Sequence, residues 1–329
     1  MTAIYNRRQV LRALCAAPIA RLKLEGNSGK PLRGVFPIMS TPFTASGAVD
    51  FDDLVREVEF LDRCGAHGMV WPQNASLYRS LNKDERMRGM EVLAQAAKGK
   101  KPALVLGVQA ANTGHMLEFA RKAESLEPDA LIAMPPYEAK SLDDYRQYYR
   151  ALAGVSQRPI FIQTTGGAPK LDPPVELLVE LAREFPQLGY VKEEVEPILE
   201  RMKSLVKHRP PMKRVFSGAY GRAMTYEMRF GADGTMPTAP YTDVQAQIWD
   251  LYEAGHKEAA RDLFSKLVLI INLFSQIRGV DQYIMKKRRV FKTAVARGRK
   301  GEAKDLELGS DEIAEIEYHF EALRPYLRA

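Results

Sequence analysis

The stretch Leu188-Gly189-Tyr190-Val191-Lys192 has the pattern of a short buried β-strand, and Glu193-Glu194 follow it at once. Side chains alternate along a strand, so Tyr190 and Lys192 share one face and Val191 lies on the other. An ammonium group is costly to bury, so a lysine at the inner end of an apolar strand loses its proton readily, and the neutral amine can condense with a ketone. The alternative is a lysine whose amine reaches solvent from the strand end.

Seven further apolar runs of strand length flank this segment, and longer helical patterns separate them. In chain order the eight predicted strands cover residues 35–39, 69–71, 103–106, 130–134, 160–163, 188–192, 214–217 and 234–236. Eight strands, each followed by a helix, within about two hundred residues predict an α/β fold of the (β/α)8 TIM-barrel type. A doubly wound sheet is the alternative, but the first strand leads into Ser40-Thr41-Pro42-Phe43 rather than a GxGxxG loop.

The barrel pattern occupies the middle of a chain of 329 residues, which divides into three predicted parts. Residues 1–31 form an N-terminal segment, residues 32–241 the barrel core, and residues 242–329 the last barrel helix with a C-terminal helical extension. The helical patterns of this last part cover residues 244–253, 257–277, 282–297 and 310–323, and Gly298-Arg299-Lys300-Gly301 interrupts them.

The N-terminal segment contains Asn6-Arg7-Arg8-Gln9-Val10-Leu11-Arg12, which resembles a twin-arginine export motif, followed by a short and mildly apolar stretch. An amphipathic helix packed on the barrel is the alternative explanation. We therefore predict a cytoplasmic protein, with periplasmic export as the alternative. No run approaches the ~18 consecutive apolar residues of a membrane helix, so no membrane partner is predicted.

Charge and composition narrow the possible partners. The net charge is +7 and the pI is near 9.2, which suits an anionic substrate. The densest basic run, Lys286-Lys287-Arg288-Arg289, falls in a helical pattern where a solvated face is the usual explanation, so no nucleic-acid partner is predicted. Two cysteines, Cys15 and Cys64, and five scattered histidines match no metal-ligand spacing, so neither a metal nor a disulfide is predicted.

Barrel enzymes carry their chemistry at the carboxyl ends of the strands. In this chain those ends carry polar groups, a tyrosine and a lysine: Ser40-Thr41, Gln73-Asn74, Pro135-Pro136-Tyr137, Gln163-Thr164-Thr165, Lys192 and Ser217-Gly218. Since Tyr190 and Lys192 share a face, the barrel register turns the lysine toward the interior mouth. A Schiff-base role for Lys192 follows as a hypothesis.

Four segments together resemble, in order and in spacing, the signatures of the dihydrodipicolinate synthase and N-acetylneuraminate lyase family. They are Gly34-Val35-Phe36-Pro37-Ile38-Met39-Ser40-Thr41-Pro42-Phe43, Pro135-Pro136-Tyr137, Gly189-Tyr190-Val191-Lys192-Glu193 and Gly231-Ala232-Asp233-Gly234. The resemblance implies a TIM barrel with a helical C-terminal extension, a homotetramer, and a Schiff base between Lys192 and pyruvate or another 2-oxo acid, with no separate cofactor. It also implies that the Tyr137 phenol shuttles a proton at the reacting carbon.

Two loops depart from the family pattern. After the second strand the family has Gly-Thr-Thr-Gly-Glu, whereas this chain has Gln73-Asn74-Ala75-Ser76-Leu77. A carboxylate would then be held by the Asn74 amide and by the backbone N–H groups of Ala75 and Ser76. After the fifth strand Gln163-Thr164-Thr165-Gly166 replaces Tyr-Asn-x-Pro, and Ala168 stands where dihydrodipicolinate synthases have an arginine. These differences argue against a role in lysine biosynthesis.

Three functional hypotheses follow, and they share one predicted substrate-binding set: Thr41, Asn74, Ala75, Gln163, Thr164 and Gly218. The leading hypothesis is a class I lyase, an aldolase that joins or cleaves pyruvate and an aldehyde through a Lys192 imine. A dehydratase of a 2-oxo-3-deoxy sugar acid through the same imine is the close alternative. The third is a catalytically degenerate barrel that only binds a 2-oxo acid or a partner, because the strand-two loop has lost its hydroxyl pair.

Overall fold

The computed structural model describes residues 29–274, 276–298, 302–306 and 308–329. Its first eight strands are β1 (Gly34–Val35), β2 (Gly68–Trp71), β3 (Ala103–Gly107), β4 (Ala130–Ala133), β5 (Ile160–Gln163), β6 (Tyr190–Glu193), β7 (Arg214–Ser217) and β8 (Gly234–Thr235). The helices that alternate with them are α1 (Phe51–Cys64), α2 (Lys83–Ala96), α3 (Thr113–Ser125), α4 (Leu142–Val155), α5 (Val175–Glu184), α6 (Ile198–Lys207), α7 (Met224–Arg229) and α8 (Thr242–Glu253). The C-terminal part adds α9 (Lys257–Phe274), α10 (Val280–Lys287), β9 (Val295–Arg297), β10 (Ala303–Asp305) and α11 (Ser310–Leu323).

The first eight strands form one parallel sheet that closes on itself. Their order is β1-β8-β7-β6-β5-β4-β3-β2. Ile38, beyond β1, forms parallel bridges with both Val70 of β2 and Thr238 after β8. The Met39 N–H donates to the Val70 carbonyl at 2.9 Å, which joins the two ends of the sheet. The predicted (β/α)8 barrel is therefore confirmed, and its rim gathers the carboxyl ends of all eight strands.

Aromatic side chains fill the barrel interior. The ring of Phe161 lies edge-to-face against Phe216, at 5.1 Å between centroids, and against Tyr190, at 5.4 Å. Val191 packs instead in the layer between the strands and the surrounding helices. Because side chains alternate, Lys192 points the same way as Tyr190, into the mouth of the barrel.

The C-terminal part differs from the sequence prediction. A helix was predicted across residues 282–297, but α10 ends at Lys287, and β9 follows as a strand paired antiparallel with β10. Arg289 has a φ of +59°, which interrupts the helix. The Arg297 guanidinium binds Glu85, at the start of α2, at 2.6 Å. That prediction was wrong because tertiary contacts override the helical propensity of this segment.

The basic run at residues 286–289 does not form a uniformly solvated face. The Arg288 side chain is only 3% exposed, and its guanidinium pairs at 2.6 Å with Asp243 of α8, whose side chain is fully buried. The guanidinium carbon also lies 4.6 Å from the centre of the Phe60 ring. Arg288 therefore ties the C-terminal part to the barrel helices.

Several sequence predictions concern absences or the N-terminus. Residues 1–28, with the twin-arginine-like motif and Cys15, lie outside the described residues. Within the described residues, the helices are all too short or too polar to cross a membrane. The same part of the chain contains no group of three His, Cys, Asp or Glu side chains that could hold a metal ion. Cys64 is a buried free thiol.

Candidate active site

Strands β5 and β6 run in parallel with Gln163 in register with Lys192, and the residues that follow Gln163 and Lys192 continue this pairing, which gives three pairs. Hydrogen bonds between side chains join the pairs at 3.1, 2.6 and 2.7 Å: Gln163 with Lys192, Thr164 with Glu193, and Thr165 with Glu194. Alternation along the chain turns the first and third pairs into the barrel mouth and the second pair toward the surrounding helices. This register decides which polar groups a bound substrate can meet.

The amine of Lys192 lies inside this mouth, and the residue is 4% exposed. Its Nζ donates to Gln163 Oε1 at 3.1 Å and forms an ion pair with Glu194 Oε1, also at 3.1 Å. The sequence predicted an apolar strand end, whereas the structure gives the amine two oxygen acceptors. These acceptors hold the amine in one position at the rim where barrel enzymes act.

Glu194 is the residue of this site that sequence reasoning missed. Its Oε2 accepts a hydrogen bond from Thr165 Oγ1 at 2.7 Å, so both carboxylate oxygens are fixed. Gly218, predicted to bind substrate, lies against this carboxylate, because a Cβ added there would be 1.9 Å from Glu194 Oε1. The sequence did indicate this position, since Glu194 is two residues beyond Lys192 and lies on the same face if the extended chain continues.

The second pair, Thr164 and Glu193, faces the helices. Glu193 is fully buried, and its Oε1 accepts from Thr164 Oγ1 at 2.6 Å and from the N–H groups of Glu194 and Val195 at 3.0 and 2.8 Å. Its Oε2 pairs with Arg201 of α6 at 3.1 Å. Thr164 was predicted to bind substrate, but the structure commits its hydroxyl to this carboxylate. These bonds fix the turn after β6 and thereby the lysine that precedes it.

The loops after β1 and β2 are bonded to each other. Thr41 Oγ1 donates to the Ser76 carbonyl at 2.5 Å and accepts from Trp71 Nε1 at 3.0 Å, so the predicted substrate contact of Thr41 is already occupied by protein groups. The Ser76 N–H donates to the Gln73 carbonyl at 3.0 Å and does not belong to an open carboxylate cradle. Ala75 is partly buried against the apolar barrel interior.

Tyr137 and Asn74 lie around Arg79 in the space beyond the rim. Tyr137 follows β4 and is 46% exposed, and its ring centre lies 5.2 Å from the Arg79 guanidinium carbon. Tyr137 lines a cavity of about 510 Å³, Asn74 lines another of about 430 Å³, and Arg79 lines both. Arg79 also donates to the carbonyl of Gly166, in the loop after β5, at 3.1 Å. Tyr137 thus contacts Arg79, whereas Lys192 contacts Gln163 and Glu194.

Two further carboxyl groups are buried near the rim. Glu227 of α7 has Oε2 at 2.5 Å from the Ser217 hydroxyl at the end of β7, and burial raises its pKa to about 7 against the lowering effect of that hydrogen bond. Burial likewise raises the pKa of Asp281, in α10, to about 7, opposed by a hydrogen bond from Thr238. Both groups keep a proton at pH values where an exposed carboxyl group has lost it.

We predict that the free energy of unfolding falls as the pH rises from about 5 to about 7. Below its folded pKa of about 7, Glu227 holds a proton that the unfolded chain has released. Each pH unit in this window therefore lowers the free energy of unfolding by about 1.4 kcal/mol, and the whole window lowers it by about 3 kcal/mol. Glu227→Gln keeps a polar partner for Ser217 but does not titrate, so its stability should depend less steeply on pH. Urea unfolding across the window measures both slopes.

The control for this measurement is Glu200→Gln, which changes an exposed carboxylate of α6. It should keep the wild-type slope. A residual slope is expected in Glu227→Gln, because Asp281 titrates in the same direction. Equal slopes in wild type and Glu227→Gln would contradict the prediction.

The family of the chain is shown by a match to residues 31–286, which cover more than half of it. The matching description is the dihydrodipicolinate synthetase family. The chain belongs to that family. Its members are lyases that condense pyruvate with aldehydes through a lysine Schiff base. The resemblance inferred from the four motifs and the enzyme class that it implied are therefore confirmed.

Curated relatives and solved structures agree with this assignment. The 4-hydroxy-tetrahydrodipicolinate synthase of Chlorobium chlorochromatii is 27% identical over 246 residues, which are 74% of this chain and 82% of the relative. That of Streptococcus gordonii is 28% identical over 240 residues, 71% of this chain and 76% of the relative. The dihydrodipicolinate synthase structure from Agrobacterium tumefaciens is 22% identical, with a TM-score of 0.77 over 88% of this chain and 98% of that one. A family protein of E. coli K12 in complex with pyruvate is 17% identical, with a TM-score of 0.78 over 89% and 99% of the two chains.

Proposed function

We propose that the protein is a class I lyase that binds pyruvate or another 2-oxo acid as an imine of Lys192. The observation that carries the proposal is the position of the amine, which lies inside the barrel mouth with Nζ 3.1 Å from both Gln163 Oε1 and Glu194 Oε1. A lysine amine held at this rim can attack a carbonyl carbon that enters the mouth. Family membership is also the ground on which we propose a homotetramer.

The imine supplies the chemistry of such a lyase without a separate cofactor. A protonated imine withdraws electrons, so a proton leaves the neighbouring carbon and the resulting enamine attacks an aldehyde; the reverse reaction breaks the same C–C bond. A phenol can give or accept the proton at the aldehyde oxygen. Tyr137, which follows β4 at the rim and is half exposed, is the group that we propose for this step.

The second substrate is proposed to be an aldehyde with an anionic group. Ala168 carries no charge in the loop after β5, but Arg79 reaches the same loop and donates to Gly166 at 3.1 Å. Within the described residues no carboxylate pairs with Arg79, so its guanidinium can bind an anion that enters the mouth. Since both altered loops border this space, we infer that the aldehyde differs from the one used by the 4-hydroxy-tetrahydrodipicolinate synthases among the curated relatives.

Borohydride trapping tests the imine. Incubation with pyruvate and sodium borohydride should reduce the imine to a secondary amine and raise the mass of the protein by one reduced pyruvyl group. Peptide mapping should place this group on Lys192, while Lys207, on the exposed side of α6, stays unmodified. Protein treated with borohydride alone is the blank. If neither pyruvate nor any other small 2-oxo acid gives an adduct, the proposal is wrong.

Product analysis then separates the three hypotheses. Release of pyruvate from a 2-oxo-3-deoxy sugar acid supports an aldolase, and loss of water from the same acid supports a dehydratase. An adduct on Lys192 without turnover of any acid or aldehyde supports a barrel that only binds its ligand.

A further inference from the structure

The carboxylate of Glu194 lies directly against the nitrogen that would react. Its Oε1 is 3.1 Å from Lys192 Nζ, and its Oε2 accepts from Thr165 Oγ1 at 2.7 Å. The space for Oε1 exists because residue 218 is glycine, where any Cβ would collide with it at 1.9 Å. The Glu194 side chain is 21% exposed, so the carboxylate is accessible from the mouth. The Tyr137 ring lies instead beside Arg79.

We propose that Glu194 is the proton carrier for imine formation, taking a proton from the Lys192 ammonium and returning it to the hydroxyl group of the carbinolamine. The inference rests on the proposed Schiff-base function and adds to Lys192 and Tyr137 a catalytic residue that touches the reacting nitrogen. Tyr137 retains the proton transfer at the aldehyde oxygen. Imine formation and the reaction with the aldehyde then use different proton carriers, Glu194 for the first and Tyr137 for the second.

The proton balance of the step follows from this contact. The Lys192 ammonium gives one proton to Glu194, and the neutral amine attacks the ketone carbon of the 2-oxo acid. A proton then moves from the new ammonium to the alkoxide, which gives a neutral carbinolamine. The protonated Glu194 delivers its proton to the carbinolamine hydroxyl, the C–O bond breaks, and water leaves. The nitrogen lone pair forms the C=N bond, so the products are an iminium ion, water and the Glu194 carboxylate.

The other titratable groups of this region favour Glu194 as the acceptor. Lys192 on β6 lies beside Glu194, and the charged groups that act on the Tyr220 phenol, in the loop after β7, are Glu194, Arg222 and Asp281 on α10. Burial raises the pKa of Tyr220, and the Asp281 and Glu194 carboxylates raise it further, while Arg222 lowers it. The Tyr220 phenol therefore keeps its proton at neutral pH and cannot accept one from Lys192.

Glu194→Gln tests the proposal, because glutamine keeps the shape of the side chain and a partner for Thr165 but cannot carry a proton. The rate of pyruvate adduct formation, measured by borohydride quenching at timed intervals, should fall about 10²-fold or more. The decrease of this rate at low pH, expected in wild type, should be absent from Glu194→Gln. Glu200→Gln, on the exposed face of α6, is the matched control and should keep the wild-type rate and pH profile.

Glu194→Ala gives a second measurement that does not depend on the glutamine variant. Removal of the carboxylate leaves space beside Lys192 Nζ, which formate can enter, so added formate should raise the rate of adduct formation in this variant and not in wild type. Thermal melting establishes that both variants fold. A glutamine variant that forms the adduct at the wild-type rate, or an alanine variant that formate does not rescue, would overturn the role of Glu194.

These outcomes can be told apart from a failure of the proposed function. If wild type forms no adduct, the lyase proposal fails and this inference fails with it. If wild type forms the adduct and Glu194→Gln forms it equally fast, with the same pH profile, only the role of Glu194 is refuted.

Discussion

Replacing Lys192 with methionine is expected to abolish the pyruvate adduct and to lower kcat by about 10⁴-fold or more, the size of loss that follows removal of a covalent nucleophile. Methionine is unbranched and fills much of the same space, but it has no amine to form an imine. Intact mass after borohydride treatment measures the adduct. Turnover is measured on the acid identified by product analysis.

Lys207→Met is the matched control, because it makes the same substitution on the exposed side of α6. It should keep both the adduct and the turnover. Thermal melting of Lys192→Met checks that the barrel still forms when Glu194 loses its ion pair. An adduct that persists in Lys192→Met and maps to another lysine would show that the nucleophile has been misassigned.

The side of the sheet to which the Lys192 side chain points could be predicted from the sequence, because side chains of an extended chain alternate between the two faces with a period of two residues. The same rule, applied to the paired strand, explains the outcome for two other residues. Gln163 lies in register with Lys192 and faces the mouth, whereas Thr164 is one residue further and faces Glu193. Glu194 was missed because it lies beyond the strand end, where alternation is not guaranteed by the sequence pattern alone.

Contacts between distant segments could not be predicted. Arg79 bonds to Gly166, 87 positions away, only because the barrel brings the loops after β2 and β5 to the same rim. Arg288 ends a helical pattern in a buried ion pair with Asp243 of α8. In both cases the closed sheet and the helices around it determine the partner. The local sequence pattern does not indicate which distant residue that partner is.

A large loss of stability is expected when the ion pair behind the site is broken. Glu193 is fully buried, and its Oε2 forms an ion pair with the Arg201 guanidinium of α6 at 3.1 Å. Arg201→Met leaves this carboxylate charged inside the protein, which should lower the free energy of unfolding by about 3–5 kcal/mol. Urea unfolding at neutral pH measures the loss. Arg183→Met, on the exposed side of α5, is the matched control and should change stability by no more than about 0.5 kcal/mol.

The double variant Glu193→Gln with Arg201→Met separates the effect of charge from that of packing. It removes the buried charge together with its partner, while the glutamine oxygen can still accept from Thr164 and from the two backbone N–H groups of the turn. We therefore expect it to recover part of the stability lost in the single variant. If it is no more stable than Arg201→Met, the loss came from the packing of Arg201. Because Glu193 fixes the turn that carries Glu194, the rate of adduct formation on Lys192 should fall in Arg201→Met and recover in part in the double variant.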